Sequence, residues 1–392
     1  MSSPVDTSVK HFYSAMAGAP VLNGVAGSLI ALLDACLVTG WGLKAVDSAT
    51  ISAGVCRLNF ASGKSAAEVD AVVLVAGASP AGLNGEQRVT AISSNWVEFK
   101  TALPDGTVTG SVSFKMAPAG WTKPFSGTNL AVYQSADAQS TKMFVRIDDT
   151  AADHVRLRGY ETMSDVNTGA GLFPLDAQIA GGGYLNKAAG PGPAPVKWRL
   201  VADGRGMYLS VVGYSFYGPT VESGRTVFIG DFQAYRPGGD PYAFVIGSGP
   251  SSAYSDTAGV CDQGVEASHY AARAYHGIGG AVAHSSVAEV GSSATSGTQS
   301  SLGAFPSVID GGLRLSRRFV AQGSTPRGVF PGLYTVPQSE VGLTIPPLYR
   351  QQGAGPTEGR VLLAIGCGAS SQTFPSPSLG ISFIDITGPW GR

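Results

Sequence analysis

FVRIDDTAADHVRLRGYETMSDVNTG, residues 144–169, opens with two flanks of period two. Val145 and Ile147 alternate with Arg146, and Val155 and Leu157 alternate with Arg156 and Arg158. That period belongs to strands, so DDTAADH reads as a turn joining two of them. Aspartate suits such turns because its carboxylate accepts hydrogen bonds from nearby backbone N–H groups. The stretch also gathers Asp148, Asp149, Asp153, His154, Glu161 and Asp165, the residue types of a metal site or a hydrolase. A calcium loop of the form D-x-[DN]-x-[DN]-G ending in Glu is not present. Zinc needs three or four converging ligands, and only His154 is local. The expectation is a polar hairpin whose aspartates are balanced at the surface by Arg146 and by Arg156 or Arg158, where such pairs contribute little.

The rest of the composition points the same way. Gly supplies 54 of 392 residues and charged residues only 14%, against about 25% charged in ordinary soluble chains. Abundant Gly disfavours helix, so strands, turns and ordered loops are expected. A net charge of −1 and the lack of a Lys/Arg cluster speak against nucleic acid as a partner. Sparse charge also fits a surface turned toward other subunits, because interface cores are poor in Lys, Glu and Asp. Cys36, Cys56, Cys261 and Cys367 are scattered without metal-ligand spacing and read as buried free thiols. The first 20 residues lack the pattern of a secretory leader. The apolar run Val25–Val38 is too short and too interrupted to span a bilayer. The expected setting is assembly in the cytoplasm, without membrane insertion.

Five segments follow from the pattern. Residues 1–45 form an N-terminal arm and helix, with Ser28 as cap, Leu29, Ile30, Leu32, Leu33 and Leu37 as the apolar stripe, and Gly40 and Gly42 as the stop. Residues 46–117 hold five or six short β-rich runs, a small sandwich or barrel. Asn84-Gly85 marks a turn into one of them. Residues 118–250 form a larger β domain, with Asp203-Gly204 as a hairpin turn and AAGPGPAPV, 188–196, as an exposed loop. Residues 251–304 are a partly helical, Ser/Gly-rich connector, the helix centred on Ala271, Ala272 and Ala274. Residues 305–392 form a C-terminal β region, with strands in LRLSRRFV, RVLLAIGCG and ISFIDI and a long Pro/Gly loop at 327–352. The fold class is mainly β: several sandwich or barrel modules and a short N-terminal helical segment.

Two resemblances sharpen this. GASPAGLNG at 77–85, with Val73-Leu74, Val89-Thr90 and Val97-Glu98-Phe99, resembles a small β-module inserted in many tailed-phage virion proteins; SGKSAAEVD, 62–70, departs from that module's usual turn. Five stretches spread over the chain resemble tail- and baseplate-associated structural proteins of tailed phages and prophages. They are residues 8–42, FSGTNLAVYQS at 125–135, RLRGYETMSDVNTGAGLFP at 156–174, RGVFPGLYTVPQ at 327–338 and the terminal FIDITGPWGR. The resemblance implies a structural protein of the particle. It supplies no site residues.

Other candidates for chemistry fail on spacing. Gly63-Lys64-Ser65 lacks the first Gly of a phosphate loop, since position 58 is Leu. Gly277-Ile278-Gly279 lacks the third Gly of a dinucleotide fingerprint, since position 282 is Val. No G-x-S-x-G elbow occurs. His269, His276 and His284 could share a helix face, but glycines interrupt it; a trimer axis could still gather three copies of one His around a metal. Trp121, Tyr184, Tyr214, Phe216 and Tyr217 could stack on sugar rings, but the favoured reading is core or interface residues. Residues 305–392 contain Arg but no Lys, and Arg suits packed interfaces through its planar fork. The candidate interface is therefore Arg317, Arg318, Arg327, Phe330, Tyr334 and Tyr349, joined by Leu29 and Leu33 if the helix is an assembly element; the favoured reading of the helix is packing on its own domain. The reading is a non-enzymatic virion component of the tail or baseplate, without cofactor or metal, working through contacts in a symmetric homo-oligomer and with other virion proteins. A receptor- or glycan-binding tail protein, contacting the host surface, is the alternative. A cell-wall hydrolase has no motif behind it.

Overall fold

A computed structural model describes residues 3–61, 63–213, 218, 220–253, 259–261, 270–277, 280–290, 302–323, 325–368 and 371–391. The chain is mainly β, 46% strand and 6% helical, with multiple antiparallel sheets and a half-barrel. The opening hairpin forms as its alternation requires. Phe144–Asp148 pairs antiparallel with His154–Tyr160, and Ile147 lies opposite Leu157. Val145, Ile147, Val155 and Leu157 all face the core. This hairpin is the centre of a five-stranded sheet, in the order Trp121–Gly127, Leu130–Ser135, Phe144–Asp148, His154–Tyr160, Gly183–Asn186.

A second sheet takes its eight strands from residues 44–116, close to the small module read at 46–117. It exceeds the expected five or six strands because Lys44–Ala45 joins its edge, ATISAGVCRLNF turns at Ala53-Gly54 into a hairpin, and TVTGSVSFKM splits into Gly106–Val108 and Ser113–Met116. Asn84 bonds the backbone of Ala78 through its side chain, and Gly85 begins the next strand, as the Asn-Gly signal predicts.

The third sheet has 14 strands among the described residues and draws them from Lys10 to Asp385. Its path starts with Lys10–Tyr13 on Gly192–Ala202 and runs through Gly206–Val212, Arg225–Asp231, Phe244–Gly247, Tyr270–Arg273, Ala281–Ala288, Ser316–Gln322, Thr325–Thr335, Gly380–Asp385 and Val361–Cys367 to Arg350–Gln352. Asp203-Gly204 lies in the turn of one of its hairpins, with Ala202 opposite Met207. The three strands expected in the C-terminal region are in place.

Four local expectations are corrected. The segment before the helix is two strands, Lys10–Tyr13 and Leu22–Gly24, both paired with Gly192–Ala202. That last strand absorbs Pro193 and Pro195, expected in a loop; its first half pairs loosely along an edge, with a register shift between Gly192 and Val196, where proline's missing N–H costs no ladder bond. Ala271 and Ala272 lie in a strand, Tyr270–Arg273, because strands bond on both sides of it and tertiary pairing overrides alanine's helix preference. The Pro/Gly segment from residue 327 begins inside an 11-residue strand, Thr325–Thr335, whose register shifts accommodate its prolines. Residues 262–269 and 291–301 of the expected connector lie outside the described residues.

The helix runs Ser28–Leu33 and continues as π-type turns over Asp34–Thr39. It stops at Gly40, whose φ of 71° favours glycine and where a Cβ would collide with the Met116 carbonyl. One continuous apolar core joins this helix, the small module, the five-stranded sheet and the first strands of the large sheet. Arg88, on the small module, ties the three parts of the chain together. Its guanidinium donates to five backbone carbonyls: Asp6 and Val9 near the N-terminus, Asp70 in the module, and Ile386 and Thr387 near the C-terminus. No helix of the described residues is long and apolar enough to cross a membrane.

Candidate interaction surface

The carboxylates of residues 144–169 are spent one by one on structure. Asp148 accepts from Thr150, Asp165 caps the N–H groups of Asn167 and Thr168, and Glu161 pairs with Arg273. The Asp153 carboxylate lies 2.7 Å from His154 Nδ1. Asp149 corrects the expectation of a surface turn, because it is fully buried. One carboxylate oxygen accepts from the N–H groups of Leu29, at 2.8 Å, and Ile30, at 3.2 Å. The other meets the equally buried Lys187 ammonium, which also donates to Val25 O at 2.8 Å. The helix is thus capped from 120 residues away. Ser28, the expected cap, instead donates its hydroxyl to Asn23 O. Burial pushes the Asp149 carboxyl up, while Lys187 and the two N–H groups pull it back.

No group of three or more His, Cys, Asp or Glu among the described residues is placed to hold a metal. His284 is buried; its Nδ1 lies 2.9 Å from Val282 O, and its Nε2 lies 3.2 Å from Arg327 Nη1. Nδ1 therefore carries the proton and Nε2 accepts. His269, Tyr214, Phe216 and Tyr217 lie outside the described residues. Trp121 is buried and donates to Asp203 O, and Tyr184 lies under the Arg156 guanidinium at 3.7 Å. The four cysteines are buried free thiols, as their scatter predicts.

The eight interface candidates divide. Leu29 and Leu33 point into the chain's own core, as does Phe330. Arg318 is buried and donates to the hydroxyl and carbonyl oxygens of Ser286. Arg327 is nearly buried in a two-pronged pair with Asp240, at 2.8 and 3.2 Å. These five hold the large sheet and helix together and offer no surface to a neighbour. Tyr349 is half exposed beside the sheet's last strand. Arg317 and Tyr334 sit opposite each other on neighbouring strands, Arg317 exposed and Tyr334 partly so.

Arg317 belongs to an outward face that the candidate set largely missed. Along Ser316–Gln322, Ser316, Arg318 and Val320 turn inward, and Arg317 and Phe319 turn outward. Phe319 faces Val287 across one strand pair, and its ring lies 6.1 Å from that of Tyr235. Tyr235 is 48% exposed and Val287 38%. At one end Arg317 makes a two-pronged bond to Glu289, at 2.6 and 3.1 Å. The result is an aromatic–aliphatic patch bordered by an ion pair, the chemistry common in the cores of protein interfaces. Period two in SRRFVAQ could have separated Arg317 from Arg318 and found Phe319. Val287 carried no such signal, because VAHSSVAEV reads as the start of a polar connector. No family model and no curated protein matches this chain.

Proposed function

We propose that the chain is a structural component of a tailed-phage particle, in the tail or baseplate, acting through subunit contacts in a symmetric oligomer and not through turnover. The observation that carries this is the Tyr235–Val287–Phe319 patch, an outward sheet face combining aromatic and aliphatic side chains with the Arg317–Glu289 pair. Two further features support it. The chain is only 14% charged. Two of the phage-like stretches, RGVFPGLYTVPQ and FIDITGPWGR, lie on neighbouring strands, with Leu333 opposite Ile384. The test is deletion of the gene from the phage or prophage that carries it, with mass spectrometry of purified particles. The chain is expected in wild-type particles at several copies, and its deletion is expected to leave tails absent or incomplete. Complete particles that never contained it would overturn the proposal. Complete particles that contain it but, without it, only fail to adsorb would transfer the role to host-surface binding.

A further inference from the structure

Residues 303–315 form a loop whose base is fixed and whose tip is bare. Gln338, fully buried, clamps the base: its Oε1 accepts from Arg314 N at 2.7 Å, and its Nε2 donates to Ala304 O and Gly312 O at 3.4 and 3.1 Å. Phe305 N–H bonds Ser339 O and Ser339 N–H bonds Gly303 O, both within 3.0 Å. The tip is ordered as well. Gly311 N–H reaches Ser307 O at 2.7 Å, and Asp310 accepts from Gly312 N–H and pairs with Arg314. On this frame Val308 is 95% exposed and Ile309 90%. Exposed aliphatic residues taken singly are ordinary. Two adjacent branched ones, held out by a hydrogen-bonded loop, are a presented contact.

We propose that the Val308–Ile309 tip of one copy seats on the Tyr235–Val287–Phe319 patch of a second copy of this chain. The inference rests on the oligomer of the proposed function and names its contact. Three observations select a second copy as occupant. The tip is free of its own chain, while the patch offers exposed apolar surface of matching chemistry. The borders are complementary: Asp310 and Arg314 flank the tip, Glu289 and Arg317 flank the patch, so each acid can meet the other copy's base. A net charge of −1 over 392 residues leaves copies without mutual repulsion.

The test is sedimentation velocity on the full chain, with Val308→Asp/Ile309→Asp as the variant. Both side chains are exposed, so circular dichroism melts should match wild type. Wild type is expected to assemble as concentration rises, and the variant to remain monomeric at about tenfold higher concentration, a shift of about 1.4 kcal/mol or more. In a second arm, Ile309→Cys chains are mixed with Val287→Cys chains under glutathione disulfide. A linked dimer is expected only in the mixture, because the native thiols are buried. If the variant assembles as wild type does, or the mixture does not link, this contact is refuted and the oligomer stands. A wild type monomeric throughout removes both. Flotation of wild type, but not the variant, with phosphatidylglycerol vesicles would refute the contact by making the tip a lipid anchor.

Discussion

Asp149 is the residue on which local and distant structure meet. Its position in a turn is legible from the alternation on either side of it. Its partner, Lys187, and the helix it caps lie 38 and 120 residues away, and no local pattern encodes them. Asp149→Ala would leave a buried ammonium without a counter-charge and two helix N–H groups without an acceptor. A loss of about 3–5 kcal/mol is expected in urea unfolding, and Asp149→Leu/Lys187→Met should lose less than the two single changes together. Two histidines give a pH dependence. Burial, with Arg350 and Arg88 nearby, lowers the pKa of His11 to about 3, and among the described residues neither ring nitrogen finds a hydrogen-bond partner. Burial and Arg327 lower His284 to about 4. Once unfolded, each binds its proton near pH 6.5. Below that pH the unfolded chain holds more protons than the folded one, so stability falls as pH drops, down to about 4 for His284 and about 3 for His11. Each histidine should contribute roughly 1.4 kcal/mol per pH unit in its window. His284→Gln, which keeps an acceptor for Arg327 and a donor for Val282 O, and His11→Leu should each flatten the measured slope by one proton.

Elements were readable where one face is buried and the other wet. The hairpin at 144–160 alternates cleanly, the strand Ser316–Gln322 alternates over its first five residues, and both are legible as strands. Strands buried on both faces do not alternate, and strands holding proline or alanine contradict their own propensity. Thr325–Thr335 and Tyr270–Arg273 were misread for that reason, since their neighbours in the sheet, not their sequence, impose the extended form. Close approach between elements is equally invisible in sequence. Gly159 pairs with Phe173, and the phenyl ring occupies the space where a side chain at 159 would go. Gly159→Val should therefore cost about 1–3 kcal/mol by overpacking. Phe173→Ala, costly by itself because the ring is fully buried, should cost less in this background than in wild type, because the ring that clashes is gone. A double variant no better than the sum of its parts would show that the strand, and not the ring, resists the substitution.

Across the whole molecule, the strands of residues 46–117 are legible in the sequence, but their attachment to the rest of the chain is not. The strands follow from short β-branched and aromatic runs between turn residues, whereas their docking depends on Arg88, one arginine in a strand that reads like any other. The five carbonyls around that guanidinium belong to residues 6, 9, 70, 386 and 387, so one side chain closes the N-terminal segment, the module and the C-terminal segment on each other. Arginine's planar fork carries five N–H donors, and lysine's ammonium only three on a single atom. Arg88→Lys can therefore serve some of these carbonyls but not both chain ends and the module together. The expected loss is about 2–4 kcal/mol, as buried carbonyls go without donors. Its distribution is the sharper reading. In hydrogen exchange, residues 5–10 and 385–390 should open together in the variant, while the hairpin Phe144–Asp148 with His154–Tyr160, which makes none of these bonds, keeps its protection. Protection lost evenly over the three larger sheets would mean that the shared apolar core, and not Arg88, holds the module in place.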